Sequence, residues 1–270
     1  MARPAAGDAA GPALVLVGRP APQVARLVLN DPGRRGALSP ELLRQLAAEL
    51  GRLDAACVIL TGQGEFFSSG YDLDAIGDPL DPEAADRLIA PTRVAALDAI
   101  ADHPVPVLAA LNGPAIGGGL ELALACDLRI AVPAAELAAP AGRLGLVYTE
   151  EGLARVLEGI PAAVVAELFL LAAPLSAERA HALGVINALV EPAELESAAL
   201  RAARRVATHA PLAQRGNVRA LRALRSARPP LPDAQRERLA ALRHDGLRSR
   251  DFAEGIEAFR RRRERVWRGS

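Results

Sequence analysis

Apolar residues recur along the chain at two spacings, and the switch between them marks the elements. ALVLVG (13–18) and VARLVLN (24–30) are short β-like runs and predict a strand pair. Ser39 then caps an amphipathic helix with Pro40 at its first position and Leu42, Leu43, Leu46 and Leu50 on one face. CVILTG (57–62) predicts a buried strand, and Pro82 opens a helix reaching about Asp102. VPVLAALNG (105–113) predicts a strand closed by a glycine-rich turn into LELALACD, followed by LRIAV (128–132) and ELAAP (136–140). From Glu150 onward the helical spacing dominates, over 151–159, 161–172, 176–183, 192–208, 210–226, 233–247 and 251–267. VINALV (185–190) alone interrupts it as a strand, and the Pro-rich RPPLPD (228–233) sets the last two helices apart. The alternation predicts an α/β layer with crossover connections, followed by a helical C-terminal part.

Composition narrows the chemistry. The 270 residues are 51% hydrophobic but only 3% aromatic, so the interior must be built from Ala, Leu and Val. Formal net charge is +0, which provides no global field toward nucleic acid or membrane. All 32 basic residues are Arg; the absence of Lys excludes Schiff-base catalysis, a Walker A loop and a protein kinase site. Cys57 and Cys126 lie in apolar runs and read as buried thiols, and the four histidines show no metal-ligand spacing. Residues 1–12 read as a flexible leader without a signal-peptide core, and no run reaches the roughly 20 apolar residues that span a bilayer. These features predict a soluble cytoplasmic protein.

The densest chemical signal runs from Leu111 to Ala123, where a strand enters Gly117-Gly118-Gly119 and then opens a helix. Glycines there let backbone N–H groups face a ligand, either a pyrophosphate or a developing oxyanion. The dinucleotide pattern fails because Leu122 stands where its third Gly belongs, so an oxyanion hole is the better reading. Glu121 is the one acid amid apolar neighbours, a candidate for proton transfer or, alternatively, a first-turn acid on its own backbone amides. A second signal, Thr61 to Leu73, joins a strand end to a small-residue loop and does not meet the nucleophile-elbow pattern.

Taken together, TGxGxxFSSGxDL and NGxxxGGGxELALACD resemble the crotonase family, the enoyl-CoA hydratase/isomerase superfamily. Further similarity lies in 29–42, 175–195 and 252–266, so the resemblance covers about residues 14 to 267. It implies an α/β fold with a crotonase-like ββα spiral core over 13–200. A C-terminal helical trimerisation subdomain would occupy 201–270. The substrate would be an acyl-CoA thioester, with no cofactor beyond its CoA moiety, no metal and no nucleic-acid or membrane partner. Self-association would give a homotrimer or a dimer of trimers. The enolate would sit between the amides of Tyr71 and Gly118, and Arg35, Ala37, Ser69, Leu73 and Gly117 would contact the CoA ligand.

Glu121 matches the first catalytic glutamate of the hydratases, but Ala141 stands where the second belongs. Standard hydration, which shares its proton transfers between two carboxylates, is then in doubt. LGLVY resembles the LGVPY of methylmalonyl-CoA decarboxylases and makes Tyr148 a catalytic candidate. Glu151, or its neighbour Glu150, is a candidate replacement acid; as plain first-turn acids they would only cap the next helix. The Arg260–Arg263 run and Arg34 are further candidates for CoA phosphates, the alternative for the run being a solvated face. The expectation is an enoyl-CoA hydratase/isomerase-type enzyme, with malonyl-type decarboxylation and a non-catalytic acyl-CoA-binding member as alternatives.

Overall fold

The computed structural model describes residues 13–72, 82–227 and 231–269; Leu73 lies outside them. Eight strands form: β1 (Val15–Ala21), β2 (Val24–Leu29), β3 (Cys57–Gly62), β4 (Val107–Leu111), β5 (Ala115–Ile116), β6 (Leu128–Ala131), β7 (Leu137–Ala138) and β8 (Ala188–Leu189). Six of them make one sheet in the order β1-β2-β3-β4-β6-β8, antiparallel only between β1 and β2. β5 and β7 pair separately in a small parallel sheet. The central strands β3 and β4 are nearly continuous in buried Val, Ile, Leu and Ala, as strands covered on both faces must be.

Helix α1 (Pro40–Arg52) starts as predicted: the Ser39 hydroxyl accepts from the Leu42 N–H, and the four leucines are buried. α2 (Pro82–Ala101) returns the chain to β4, and α3 (Gly118–Ala125) opens from the glycine turn. α4 (Glu150–Gly159), α5 (Ala162–Ala166), α6 (Ala177–Ala182) and α7 (Leu195–Ala207) follow, then α8 (Pro211–Arg225), α9 (Asp233–Arg248) and α10 (Arg250–Arg260). Several boundaries differ from the sequence expectation. The helix expected over 161–172 divides into α5 and a π-helical turn at Glu167–Leu171, which ends with Ala172 in the left-handed region. The strand expected over 185–190 shortens to two residues. α10 stops at Arg260 instead of 267; Arg262 has φ +50°, and much of the arginine run lies past the helix end. A run of adjacent guanidinium groups repels along a helix, and Arg263 instead folds back onto Glu254.

Parallel β2, β3, β4 and β6 share one direction, so the loops that leave their C-terminal ends converge. The two sequence motifs follow β3 and β4, neighbours in the sheet. Asn112 stitches the loops together: its amide donates to the Gly64 and Phe66 carbonyls at 2.8 and 3.1 Å, and its oxygen accepts from Gly62 N–H at 3.0 Å. Among the described residues no helix is long and apolar enough to cross a membrane, and no cluster of three metal-ligating side chains occurs.

Candidate active site

The loop after β3 lies against both the glycine turn and the 31–38 segment. Ser68 donates its hydroxyl to the Gly36 carbonyl at 2.7 Å, Ser69 N–H donates to Arg35 O, and Leu38 N–H donates to Gly70 O. On the other side Ile116 N–H donates to Ser68 O at 2.9 Å. Gly70 has φ +92°, and a methyl group there would sit 2.7 Å from the Ile116 oxygen, so only glycine lets these two loops close.

This closure sets Gly70 against the start of α3, where a Cβ on residue 70 would lie 3.4 Å from the Gly118 nitrogen. Residue 71 pairs with Leu38 through the carbonyl before it and the amide after it, which leaves its own N–H facing away from that pairing. Gly118 is the first residue of α3, whose opening N–H groups have no intrahelical acceptor. Among the described residues neither the Tyr71 nor the Gly118 N–H donates to an acceptor. The adjacency is tight: the Tyr71 ring lies over Gly118, where a Cβ would meet it at 2.5 Å. Gly117 precedes them with φ +52° and anchors the turn by donating to Ala138 O at 2.8 Å.

Glu121 is one turn into α3 and only 1% exposed. Three side chains reach its carboxylate. Tyr148 donates its hydroxyl to Oε1, Tyr71 reaches the same oxygen at 3.5 Å, and Arg93 of α2 pairs with Oε2 at 3.3 Å. Burial, and then the Glu121 charge, hold both phenols well above the ordinary 10.0, so they stay neutral donors. Burial opposes the Arg93 cation, but Glu121 and the two phenol oxygens raise its proton affinity above the usual guanidinium value.

The LGLVY tract brings Tyr148 here. Ala141 opens a 3-10 turn to Leu144, and the Leu146 N–H returns to the Ala141 carbonyl at 3.1 Å. Thr149 then caps α4, and Gly152 leaves the space the Tyr148 ring needs, since a Cβ there would meet Cε1 at 2.7 Å. Phe169, from the π-helical turn, packs edge-on against the ring at 4.9 Å between centroids.

The site residues expected from the sequence are distributed as follows. Glu121, Tyr148, Tyr71 and Gly118 come together in one cluster, and Ala141 is buried. Arg35, Ala37, Ser69 and Gly117 lie on the adjoining loops; Arg35 is exposed, with its guanidinium 5.5 Å from the Phe66 ring centroid. Arg34 pairs with Asp72 at 2.6 Å and ties the 31–38 segment to the residue after Tyr71. Glu151 is exposed in the first turn of α4, and Glu150 turns to Arg236 at 3.7 Å; neither reaches the Glu121 carboxylate. In the terminal run Arg261 and Arg263 pair with Glu257 and Glu254 of α10. Arg93 was missed by sequence reasoning. Its one signal was a cation amid the apolar LIAPTRVAAL, and it gains a partner only when α2 packs on α3.

Comparison with known proteins shows the family and the fold. A family model described as Enoyl-CoA hydratase/isomerase matches residues 21–270. Carnitinyl-CoA dehydratase of Salmonella paratyphi B is 38% identical over 217 residues, covering 78% of this chain and 80% of that protein. A methylmalonyl-CoA decarboxylase in complex with 2-nitronate-propionyl-CoA superposes with a TM-score of 0.84 at 28% identity, covering 95% of this chain and 99% of that one. An enoyl-CoA hydratase/isomerase from Pseudoalteromonas atlantica T6c gives a TM-score of 0.79 at 30% identity, covering 94% and 100%. The chain belongs to the enoyl-CoA hydratase/isomerase family and has its crotonase fold.

Proposed function

We propose that this acyl-CoA enzyme forms a thioester enolate by decarboxylating a 2-carboxyacyl-CoA of the methylmalonyl type. The carrying observation is the Glu121 carboxylate, which lies between Arg93 and two phenols, while Ala141 supplies no second acid. Hydration divides two proton transfers between two carboxylates. Decarboxylation needs no base to begin, only an electron sink, a dry pocket and a later proton donor.

In this reading the thioester carbonyl accepts from the Tyr71 and Gly118 N–H groups. The bond to the departing carboxylate breaks, its electron pair flows to the thioester oxygen, and CO2 leaves. The neutral Tyr148 hydroxyl then protonates the α-carbon and is reprotonated from water. Arg93, against the same carboxylate, offsets the negative charge left on the phenol. Oxyanion donors of this kind are each worth about 3 kcal/mol in the transition state. Arg35, Ala37, Ser69, Leu73 and Gly117 would hold the CoA portion.

A second reading keeps Glu121 as the acid–base group of a dehydratase or isomerase. It is favoured by the 38% identity to a carnitinyl-CoA dehydratase and by the long contacts of Glu121 to Tyr71 (3.5 Å) and Arg93 (3.3 Å). The test is turnover of methylmalonyl-CoA, a 2-enoyl-CoA, a 3-enoyl-CoA and a 3-hydroxyacyl-CoA by the same preparation. CO2 release from the first, lost in Tyr148→Phe, is expected. Turnover of only the enoyl or hydroxyacyl thioesters, lost in Glu121→Gln, transfers the assignment to the second reading. Saturable acyl-CoA binding with no turnover of any of them makes the protein a binding member.

Self-association as a trimer or dimer of trimers belongs to the same proposal. Leu221 and Leu224, three positions apart on one side of α8, are 69% and 75% exposed, an apolar patch suited to a second copy. Sedimentation at a single protomer mass would overturn that part.

A further inference from the structure

Helix α8 also carries charge to the end of the sheet from which β4 and β6 start. Where β4 and β6 begin, a cavity of about 720 Å³ opens between the end of α2, α4 and α8. Five arginines line it: Arg155 from α4, and Arg215, Arg219, Arg222 and Arg225 from α8. Their spacing along α8 places those four on one side of the helix. Arg222 is buried and fully engaged, donating to Asp127 at 2.8 and 2.5 Å and to the carbonyls of Ala101 and His103. It forms a fixed floor.

The other four make no hydrogen bond or ion pair among the described residues. The Nε atoms of Arg155 and Arg225 are, in addition, buried without an acceptor. A guanidinium N–H shielded from water and left unpaired costs stability, and an anion with several oxygens would satisfy it. Among the described residues, the lining acids are Asp102 and Glu158. Even with Asp127 added, five cations face three carboxylates.

We propose that this cavity binds a small, multiply charged anion bearing phosphate groups. The guanidinium fork matches phosphate oxygens in geometry and retains its charge at every physiological pH. The volume falls in the range of about 300–1,000 Å³ usual for small-ligand pockets, and a concave basic site suits a small ligand better than a flat macromolecular surface. The proposal does not depend on the reaction assigned to the active site.

Pyrophosphate is the probe. Isothermal titration of the full chain at fixed ionic strength is expected to show saturable binding that chloride does not reproduce. CoA in excess is expected to leave that binding intact. Arg215 and Arg219 are exposed, so the double variant R215Q/R219Q should fold with an unchanged Tm in the absence of ligand. Its affinity for pyrophosphate should fall by at least about tenfold, as expected for lost charge-assisted contacts. Unchanged affinity in that variant, no saturable binding, or displacement by CoA overturns the proposal. Binding seen only when protomers dissociate would mean that a second copy fills the cavity, and overturns it as well.

Discussion

Arg93 and Glu121 form a buried ion pair whose coupling can be measured directly. The side chains are 11% and 2% exposed and meet at 3.3 Å. Removing one member of such a pair leaves an uncompensated charge and costs about 3–5 kcal/mol, whereas removing both is often close to neutral. Here Glu121 retains two phenol donors when Arg93 is replaced, so Arg93→Met should fall at the lower limit, about 3 kcal/mol. Glu121→Gln strands the guanidinium instead, although its amide oxygen can still accept from Tyr148, and a similar loss of about 3 kcal/mol is expected. At about 2–4 °C per kcal/mol for a domain of this size, each single variant should lower Tm by roughly 6–12 °C. The glutamine of E121Q leaves a buried amide rather than an apolar group, so the double variant R93M/E121Q should not reach neutrality but should be destabilised by about 2 kcal/mol less than the sum of the two. The assay is equilibrium urea unfolding at a fixed protomer concentration, comparing midpoints at a common slope. Additivity within about 0.5 kcal/mol would show that the pair is not coupled and would refute the account of how Glu121 is held.

Tyr71 and Tyr148 are held above 10.0 when folded, so above that pH the unfolded chain loses protons that the folded chain keeps. Stability should fall as pH rises above about 10, and Tyr148→Phe should flatten that limb in pH-dependent denaturation. His103 is buried, and its proton affinity is held below the usual 6.5 by burial first and by the Arg222 charge. Below that pH the unfolded chain takes up a proton that the folded chain refuses, so stability should decline as pH falls below about 6.5, and less so in His103→Asn. The adjacent glycines should respond differently to alanine. In Gly118→Ala the added methyl meets the movable Tyr71 ring at 2.5 Å, so Tm should change little. Turnover should drop about 100-fold or more as the site is displaced. In Gly119→Ala it meets the Ser68 carbonyl oxygen at 2.7 Å, so a thermal melt should show a loss of about 1–3 kcal/mol from overpacking. A stable Gly119→Ala protein would contradict the contact between the two loops.

Elements governed by local rules were legible in the sequence. α1 is defined by the Ser39 cap, Pro40 and four leucines at helical spacing, and β3 matches its expected ends. The glycine turn and Glu121 could be read because a strand, a bend and a helix start occur within a dozen residues. Other features depend on which surfaces meet. Nothing near Arg93 in sequence specifies that its partner lies 28 positions away, and the pair exists because α2 packs across α3. Glu150 and Glu151 offered two equivalent acids beside Tyr148. The direction of the first turn of α4 decides between them and the tyrosine, sending Glu150 to α9 and leaving Glu151 exposed while the half-buried Tyr148 turns its hydroxyl to Glu121. The sequence by itself determined the strand–helix order, the family and the candidate carboxylate, since each is encoded in short-range spacing and turn chemistry. Only the tertiary structure decided what touches that carboxylate, because long-range packing selects the neighbours of a buried charge.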